Sequence, residues 1–429
     1  MSGPGFANRE AIRDRQLLAL RRLLGAVAAS NLFYAPILRE VGLGGELADL
    51  PTFFARMPFT KKDAIVEDQL RHPPYGTNLT YPLAAYCRYN QTSATRGVPL
   101  RWLDTAESWQ CMLDNWKQIY HAAGVASQDC LYFAFSFGPF LGFWTAFEAG
   151  CQLGCRCVPG GGLSSLARLQ AIHANRVEVL FCTPTYAMRL AEVAAAEAID
   201  LAEMAVRTIV VAGEPGGSIP ATRHAIESAW PRATVFDQHG MTEVGPVSYQ
   251  CPDRPSTLLV LESSYIAEII DPHGDRPVAR GEIGELVLTT LGRLGSPLIR
   301  YRTGDLVRET MEVETRLGRP EMALRGGILG RTDDMLLIRG VNVYPPALDN
   351  VLRSFAEVVE YQVQIDTRSA LVELRVCIEP APEHADGMDL AARVESRLRA
   401  AFNLRMPVMA CSPGTLPRPD MKASRWVRM

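Results

Sequence analysis

The 429-residue sequence has almost no charge excess: 44 Lys+Arg oppose 47 Asp+Glu, a net −3 at pH 7. Without a basic surplus nothing holds a phosphate backbone, which excludes a general nucleic-acid binder. Ten cysteines are too sparse for a disulfide scaffold. Their one cluster, Cys151, Cys155 and Cys157, has no close His, and zinc would need a fourth ligand from elsewhere, so reduced cysteine buried in a strand is expected. The uncharged, ring-rich run 131–147 is shorter than the roughly 20 residues of a membrane span and is broken at Gly138-Pro139. It is expected to be buried core, with no membrane association. Residues 1–9 lack a basic start leading into an apolar run, so no secretory signal is expected and the protein is read as cytoplasmic. A GxxxxGK(S/T) loop, a strand-borne GxGxxG, a GxSxG elbow and an HExxH helix are all missing. The first two absences disfavour P-loop NTPases and dinucleotide folds.

What is present is an ordinary globular composition, 48% hydrophobic and 21% charged, with a length that accommodates two to four domains. Residues 9–29 read as an amphipathic helix with Leu17, Leu18, Leu20, Leu23, Leu24 and Val27 on its apolar side. Residues 50–85, interrupted by Pro51, Pro58, Pro73, Pro74 and Pro82, read as packed loops around a short helix. From residue 86 apolar strand-like runs alternate with helical stretches, which predicts a mostly parallel sheet covered by helices. Residues 255–310 hold strands in succession and predict a mixed or antiparallel sheet. After Arg331-Thr332-Asp333-Asp334 the pattern resets into a compact α+β unit. The fold class is therefore α/β, with a large N-terminal domain (1–332) and a small C-terminal domain (333–429).

Three segments are dense in residues suited to nucleotide and metal chemistry. Thr92-Ser93-Ala94-Thr95-Arg96-Gly97-Val98-Pro99 is small and hydroxylated, so its backbone N–H groups and hydroxyls can cradle phosphate, with Arg96 adding charge. Gln238-His239-Gly240-Met241-Thr242-Glu243 follows a strand ending at Phe236, where ligand sites of open α/β sheets lie; Thr242 is placed to donate to phosphate and Glu243 to hold Mg²⁺. Tyr301-Arg302-Thr303-Gly304-Asp305 offers a carboxylate after a glycine turn, able to accept both hydroxyls of a ribose. Read alone, each is also an ordinary polar loop or turn.

In this order the segments resemble the adenylate-forming superfamily of acyl- and aryl-CoA synthetases. Residues 92–99 resemble its TSGTTGxP phosphate loop, 239–243 its YGxTE motif, and 301–305 match YRTGD in full. Residues 330–334 match the hinge motif, Arg339-Gly340-Val341-Asn342-Val343-Tyr344-Pro345 the loop after it, and residues 413–418 followed by Lys422 the segment with the catalytic lysine. The length, Gly213-Glu214-Pro215, residues 240–246 and the RGVNVYP run are similar to the phenylacetate–CoA ligase branch.

The resemblance implies two half-reactions: a carboxylate attacks the α-phosphate of ATP, giving an acyl-adenylate and pyrophosphate, and a thiol then displaces AMP. It implies that Lys422, Thr242 and Glu243 act in catalysis. Thr92, Ser93, Thr95, Arg96 and Gly97 would close on pyrophosphate. Gly213, Glu214, Pro215, His239, Gly240 and Met241 would surround the nucleotide, with Asp305 and Arg331 on its ribose. It further implies a mobile C-terminal domain, with Asp333 as hinge, that exchanges the lysine segment for the loop at Arg339 and Gly340 between the steps.

Several positions depart from the family pattern. Ala94 replaces Gly, Arg96 replaces Thr, Val98 replaces a frequent Lys, and His239 stands where the family has a Tyr that stacks on adenine. Residues 308–329 contain no Cys, so the structural zinc of some relatives is not expected. The rings around Tyr132, Phe135, Ser136, Phe137 and Phe140, with Ala212, suit a flat aryl or arylacetic acid, although plain core packing reads the same run equally well. The leading reading is an aryl-acid:CoA ligase using ATP, Mg²⁺ and CoA. The competing readings are a stand-alone adenylation enzyme that loads a carrier protein and a catalytically lapsed adenylate-binding protein. A homodimer is expected only by resemblance.

Overall fold

The computed structural model describes residues 7–92, 99–310, 320–334, 336–338, 341–366, 373–381, 387–418 and 425–429. The chain opens with α1 (Arg9–Ser30), α2 (Ala35–Glu40), α3 (Leu50–Arg56) and α4 (Lys62–Arg71). Helix α1 is capped by the Asn8 side chain, which accepts from Ala11 N, and buries Leu20, Leu23, Leu24 and Val27. Leu18, expected on that apolar side, is 71% exposed: it lies two positions from Leu20, on a different helix face. The proline-rich stretch 50–85 contains two helices rather than one, because Pro51 sits in the first turn of α3, where no intrahelical N–H is lost.

A hairpin follows, β1 (Tyr86–Gln91) and β2 (Arg101–Thr105), with the predicted phosphate loop between its strands, and then α5 (Ala106–Ala122). The predicted alternation comes next: β3 (Cys130–Phe133), α6 (Trp144–Leu153), β4 (Arg156–Pro159), α7 (Ser165–Ala174), β5 (Val179–Cys182), α8 (Pro184–Ala196), β6 (Thr208–Val211), α9 (Pro220–Ala229) and β7 (Thr234–Met241). Strands β4-β3-β5-β6-β7 pair in parallel. The sheet then continues antiparallel through β8 (Gly245–Cys251), β9 (Arg254–Val260) and the short Ala323–Arg325 strand. Period-two alternation feeds both faces: Leu131 and Phe133 enter one core cluster, Cys130 and Tyr132 the opposite one. The cysteine cluster divides among environments. Cys155 is buried and Cys157 lies on β4, but Cys151 is exposed on α6.

The predicted second sheet is antiparallel: β10 (Tyr265–Ile270), β11 (Ile283–Thr290) and β12 (Tyr301–Arg308), edged by the Gly330–Arg331 strand. Residues 301–305, expected to form a glycine turn, are continuous strand within β12. Gly304 has φ +80°, and a Cβ there would lie 2.8 Å from the Arg331 guanidinium; only glycine lets the two edges approach this closely. A separate core gathers Ile338, Leu348, Leu352, Val363, Val376, Val394 and Leu398 around a four-stranded sheet and the helices Pro345–Arg353 and Gly387–Phe402. Among the described residues no helix is long and apolar enough to cross a membrane.

Candidate active site

The site is built where the two N-terminal sheets meet. Strand β7 does not end at Phe236 but runs on through His239, Gly240 and Met241 and turns back into β8, so the motif read as a loop is a hairpin. A Cβ on Gly240 would lie 2.6 Å from the Gly245 carbonyl oxygen, so this turn admits no side chain there. Glu243 is buried at the tip, its Oε1 2.9 Å from Lys62 Nζ and 3.5 Å from the Tyr301 hydroxyl. Thr242 is half-buried, and its carbonyl accepts from Arg293 Nη1 at 2.8 Å. Arg293 also makes a fully buried, bidentate pair with Asp104, 2.6 Å on each arm.

Four residues along β12 from Tyr301, Asp305 accepts from His239 Nε2 at 3.0 Å and from Arg331 Nη1 at 2.8 Å. Arg331 Nε also reaches Asp333 at 2.9 Å. Burial raises the Asp305 pKa, but the hydrogen bonds and charges of His239 and Arg331 outweigh it and hold the carboxyl below its ordinary range. Burial likewise opposes the Arg331 charge, and Asp305 and Asp333 overcome it, raising that pKa. A carboxylate offers about four lone-pair directions, so both oxygens retain capacity for ribose hydroxyls. Because the Asp305 pKa is depressed on folding, its stabilisation is complete above the ordinary carboxylate pKa of about 3.9 and is lost as pH falls through the depressed value. Asp305→Asn should therefore melt below wild type at neutral pH, with the gap in Tm narrowing below about pH 4. A gap that widens with acid would reject that sign.

His239 also lies 3.4 Å from the Ser248 hydroxyl through Nδ1. Since Asp305 can only accept, Nε2 carries the proton and Ser248 donates to Nδ1. The order Ser–His–Asp is not a nucleophilic triad here, because Ser248 is fully buried. It instead fixes the tautomer and the plane of the imidazole.

Thr92 closes the stem of the β1–β2 hairpin: its N donates to the Leu100 carbonyl at 2.9 Å and its hydroxyl accepts from Leu100 N at 3.0 Å. Gln91 N donates to the Pro139 carbonyl at 2.6 Å, tying this stem to the ring-rich loop. Gly213 and Pro215 are exposed on the lip after β6, beside Ala212, and Glu214 Oε1 accepts from Thr185 N at 2.8 Å. In the ring-rich run the structure separates what the sequence grouped. Tyr132 is buried on the opposite sheet face, and Phe135 packs in the core against Phe137 and Phe143 at 4.4 and 5.2 Å. Ser136 and Phe140 are exposed and Phe137 half-buried. Ser93, Thr95, Arg96, Gly97, Arg339, Gly340 and Lys422 lie outside the described residues. Lys62, Arg293, Asp104 and Ser248 were not singled out in the sequence. No local pattern marks them, and each acts through a partner distant in the chain or across a strand pair.

The geometry matches known proteins along most of the chain. Residues 92–292 match the AMP-binding enzyme family and residues 340–428 the AMP-binding enzyme C-terminal domain. The phenylacetate–coenzyme A ligase of Thermus thermophilus is 34% identical over 379 residues, covering 86% of this chain and 82% of that protein. The chain belongs to the phenylacetate–coenzyme A ligase family of AMP-binding enzymes. The Escherichia coli phenylacetate–coenzyme A ligase is 30% identical over 393 residues, 89% of this chain and 85% of that one. Among solved structures, 2-hydroxyisobutyryl-CoA ligase in its postadenylation state superposes with a TM-score of 0.90 at 28% identity, over 98% of this chain and 89% of that one. Against the same ligase in its thioesterification state the TM-score is 0.73, at 28% identity over 98% and 90% of the two chains. The chain is thus an AMP-forming acid–thiol ligase.

Magnesium, implied by the family, is testable against these residues. Mg²⁺ is commonly held by one or two carboxylates plus substrate phosphates. Glu243 supplies one buried carboxylate that already has an ammonium group 2.9 Å away, so a cation fits there. Among the described residues no group of three or more His, Cys, Asp or Glu is arranged to hold a metal by itself.

Proposed function

We propose that the protein activates an aromatic or arylacetic acid with ATP and transfers the acyl group to coenzyme A. The observation that carries this reading is the convergence along β12 of two buried carboxylates with different partners. Glu243 has a cation and a phenol; Asp305 has an imidazole and a guanidinium. Such a pair suits the two ends of a nucleotide, phosphate and ribose. In the first step a carboxylate oxygen bonds to the α-phosphorus, the bond to the bridging oxygen breaks, and pyrophosphate leaves. In the second, thiol sulfur bonds to the acyl carbon, AMP leaves, and the thiol proton is released. This chemistry asks the protein for positioning and charge neutralisation.

In this reading Asp305 and Arg331 orient the ribose, the fixed His239 ring lies against adenine with Gly213, Glu214 and Pro215, and Thr242 donates to phosphate. Glu243 holds Mg²⁺, which when bound neutralises phosphate charge. Thr92 shapes the base of a loop whose Ser93, Thr95, Arg96 and Gly97 enclose pyrophosphate. Lys422 bridges the acid and the α-phosphate. Phe137, Phe140, Ser136 and Ala212 border the acid, and Tyr132 and Phe135 support them from the core. The domains divide at Thr332/Asp333, Asp333 is the hinge, and Arg339 and Gly340 enter for the thiol step. Ten unpaired thiols suit a cytoplasmic enzyme.

The test is acid-dependent ATP–pyrophosphate exchange with benzoic, phenylacetic and hydroxyaryl acids, followed by thioester analysis with CoA or a phosphopantetheinylated carrier protein. Exchange with an aryl acid and capture by CoA is expected. ATP binding without exchange for any acid would instead indicate a lapsed enzyme, and capture only by the carrier protein would identify a loading enzyme.

A further inference from the structure

Lys62 lies 30 residues ahead of the matched family segment beginning at residue 92, yet its ammonium is 2.9 Å from Glu243. Its position is built rather than incidental. Thr60, two residues earlier, forms a parallel bridge with Tyr301 on β12. Thr60 N donates to Arg300 O at 2.9 Å and its carbonyl accepts from Arg302 N at 3.0 Å. Its hydroxyl donates to Ile299 O at 2.7 Å and lies 3.0 Å from the Tyr34 hydroxyl. The start of α4 is thereby strapped to the strand that carries both Tyr301 and Asp305. The two side chains of the pair differ in freedom: Glu243 is 7% exposed and Lys62 is 45% exposed. A buried carboxylate requires a partner, whereas a half-exposed lysine on a four-carbon stem can move away from it.

We propose that Lys62 is a phosphate-binding residue of the nucleotide site that also guards Glu243 between turnovers. With nucleotide absent its ammonium neutralises Glu243. With nucleotide bound it shifts onto phosphate oxygens, and the carboxylate becomes free for the metal ion. Lysine and metal thus compete for one carboxylate but cooperate on one ligand. The inference rests on the ligase reading above and adds a residue and a sequence of charge exchange to it.

The competition predicts opposite signs for two affinities, which general damage to the fold would not produce. Full-length Lys62→Met, Lys62→Arg and wild type are compared. Mn²⁺ alone, followed by its free-ion paramagnetic resonance, should bind Lys62→Met about fivefold more tightly, because the competing ammonium is gone. ATP in the presence of chelator, followed calorimetrically, should bind it about tenfold more weakly. Lys62→Arg keeps the charge and should stay near wild type in both. Unchanged Mn²⁺ affinity in Lys62→Met, or loss of both affinities together, overturns the proposal. The Mn²⁺ titration contains no substrate, so its outcome is independent of the ligase reading, which acid-dependent exchange by wild type tests separately.

Discussion

Lys422→Ala should abolish acid-dependent ATP–pyrophosphate exchange, by about 10²–10³-fold or more, while sparing thioester formation from supplied acyl-adenylate. The expectation has a structural basis on either side of the lysine. Before it, Glu379 accepts from Gly414 N at 2.7 Å, Leu416 N at 3.2 Å and Arg418 Nη2 at 2.5 Å. After it, Arg425 Nε donates to Glu360 at 2.6 Å, and its Nη1 reaches the Thr185 hydroxyl at 3.4 Å. Thr185 belongs to α8, directly after β5, and its N–H donates to Glu214 on the lip after β6. Arg418 and Arg425 share a groove of about 230 Å³ with Thr185, Arg189 and Glu192. The flank before the lysine segment is thus fixed to the C-terminal sheet through Glu379, and the flank after it reaches Thr185 at the carboxyl end of β5, the side of the sheet where the acid and the α-phosphate are proposed to meet. In the proposed role the Lys422 cation would neutralise charge developing in the first half-reaction and would have no comparable role once AMP is the leaving group. Measuring the two half-reactions separately decides the matter, and equal loss of both would contradict the division of labour.

Arg293→Met should cost about 3–5 kcal/mol of stability, since it leaves the Asp104 carboxylate buried without its partner. Both residues are inaccessible, with Asp104 0% and Arg293 2% exposed, and they join the β1–β2 hairpin to the Thr242–Glu243 turn. The pair also stands beneath Trp102, whose ring lies 5.5 Å from the guanidinium. Combining Arg293→Met with Asp104→Leu removes both charges and should restore most of the stability, as seen by urea unfolding. The double variant still lacks the donor to the Thr242 carbonyl. Its KM for ATP should stay raised although its unfolding midpoint recovers. Recovery of both together would show that the pair matters to the fold alone and not to the turn.

Much of this protein was legible before any coordinates. Hydrophobic periodicity is local, so the alternation from residue 130 onward placed most strands and helices within a few residues; the helix read from Tyr186, after a strand end at Thr183-Pro184-Thr185, starts instead at Pro184, where the Thr183 side chain accepts from Tyr186 N. The chemistry class was legible through the resemblance of six motifs, in order, to the adenylate-forming superfamily, although each motif read alone is an ordinary polar loop or turn. Side-chain environment was less legible. Tyr132 and Phe135 belong to one ring-rich run, yet strand alternation sends Tyr132 to one sheet face and burying Phe135 in the core leaves Phe140 outermost, 40% exposed. The YRTGD segment looks like a turn by composition, but two sheet neighbours hold it extended.

What only the tertiary structure decided are the charge partnerships. Lys62 and Glu243 are 181 residues apart, Asp104 and Arg293 are 189 apart, and His239 and Asp305 are 66 apart. A buried carboxylate must find a counter-charge, but which one it finds depends on how sheets close and which edges meet. The sequence by itself, through its family resemblance, nominated the residues proposed to bear the chemistry and outlined most of the elements that carry them. Sheet closure determined which of those residues touch, because a strand's hydrogen bonds and a sheet's apolar faces bring together segments that no local pattern relates.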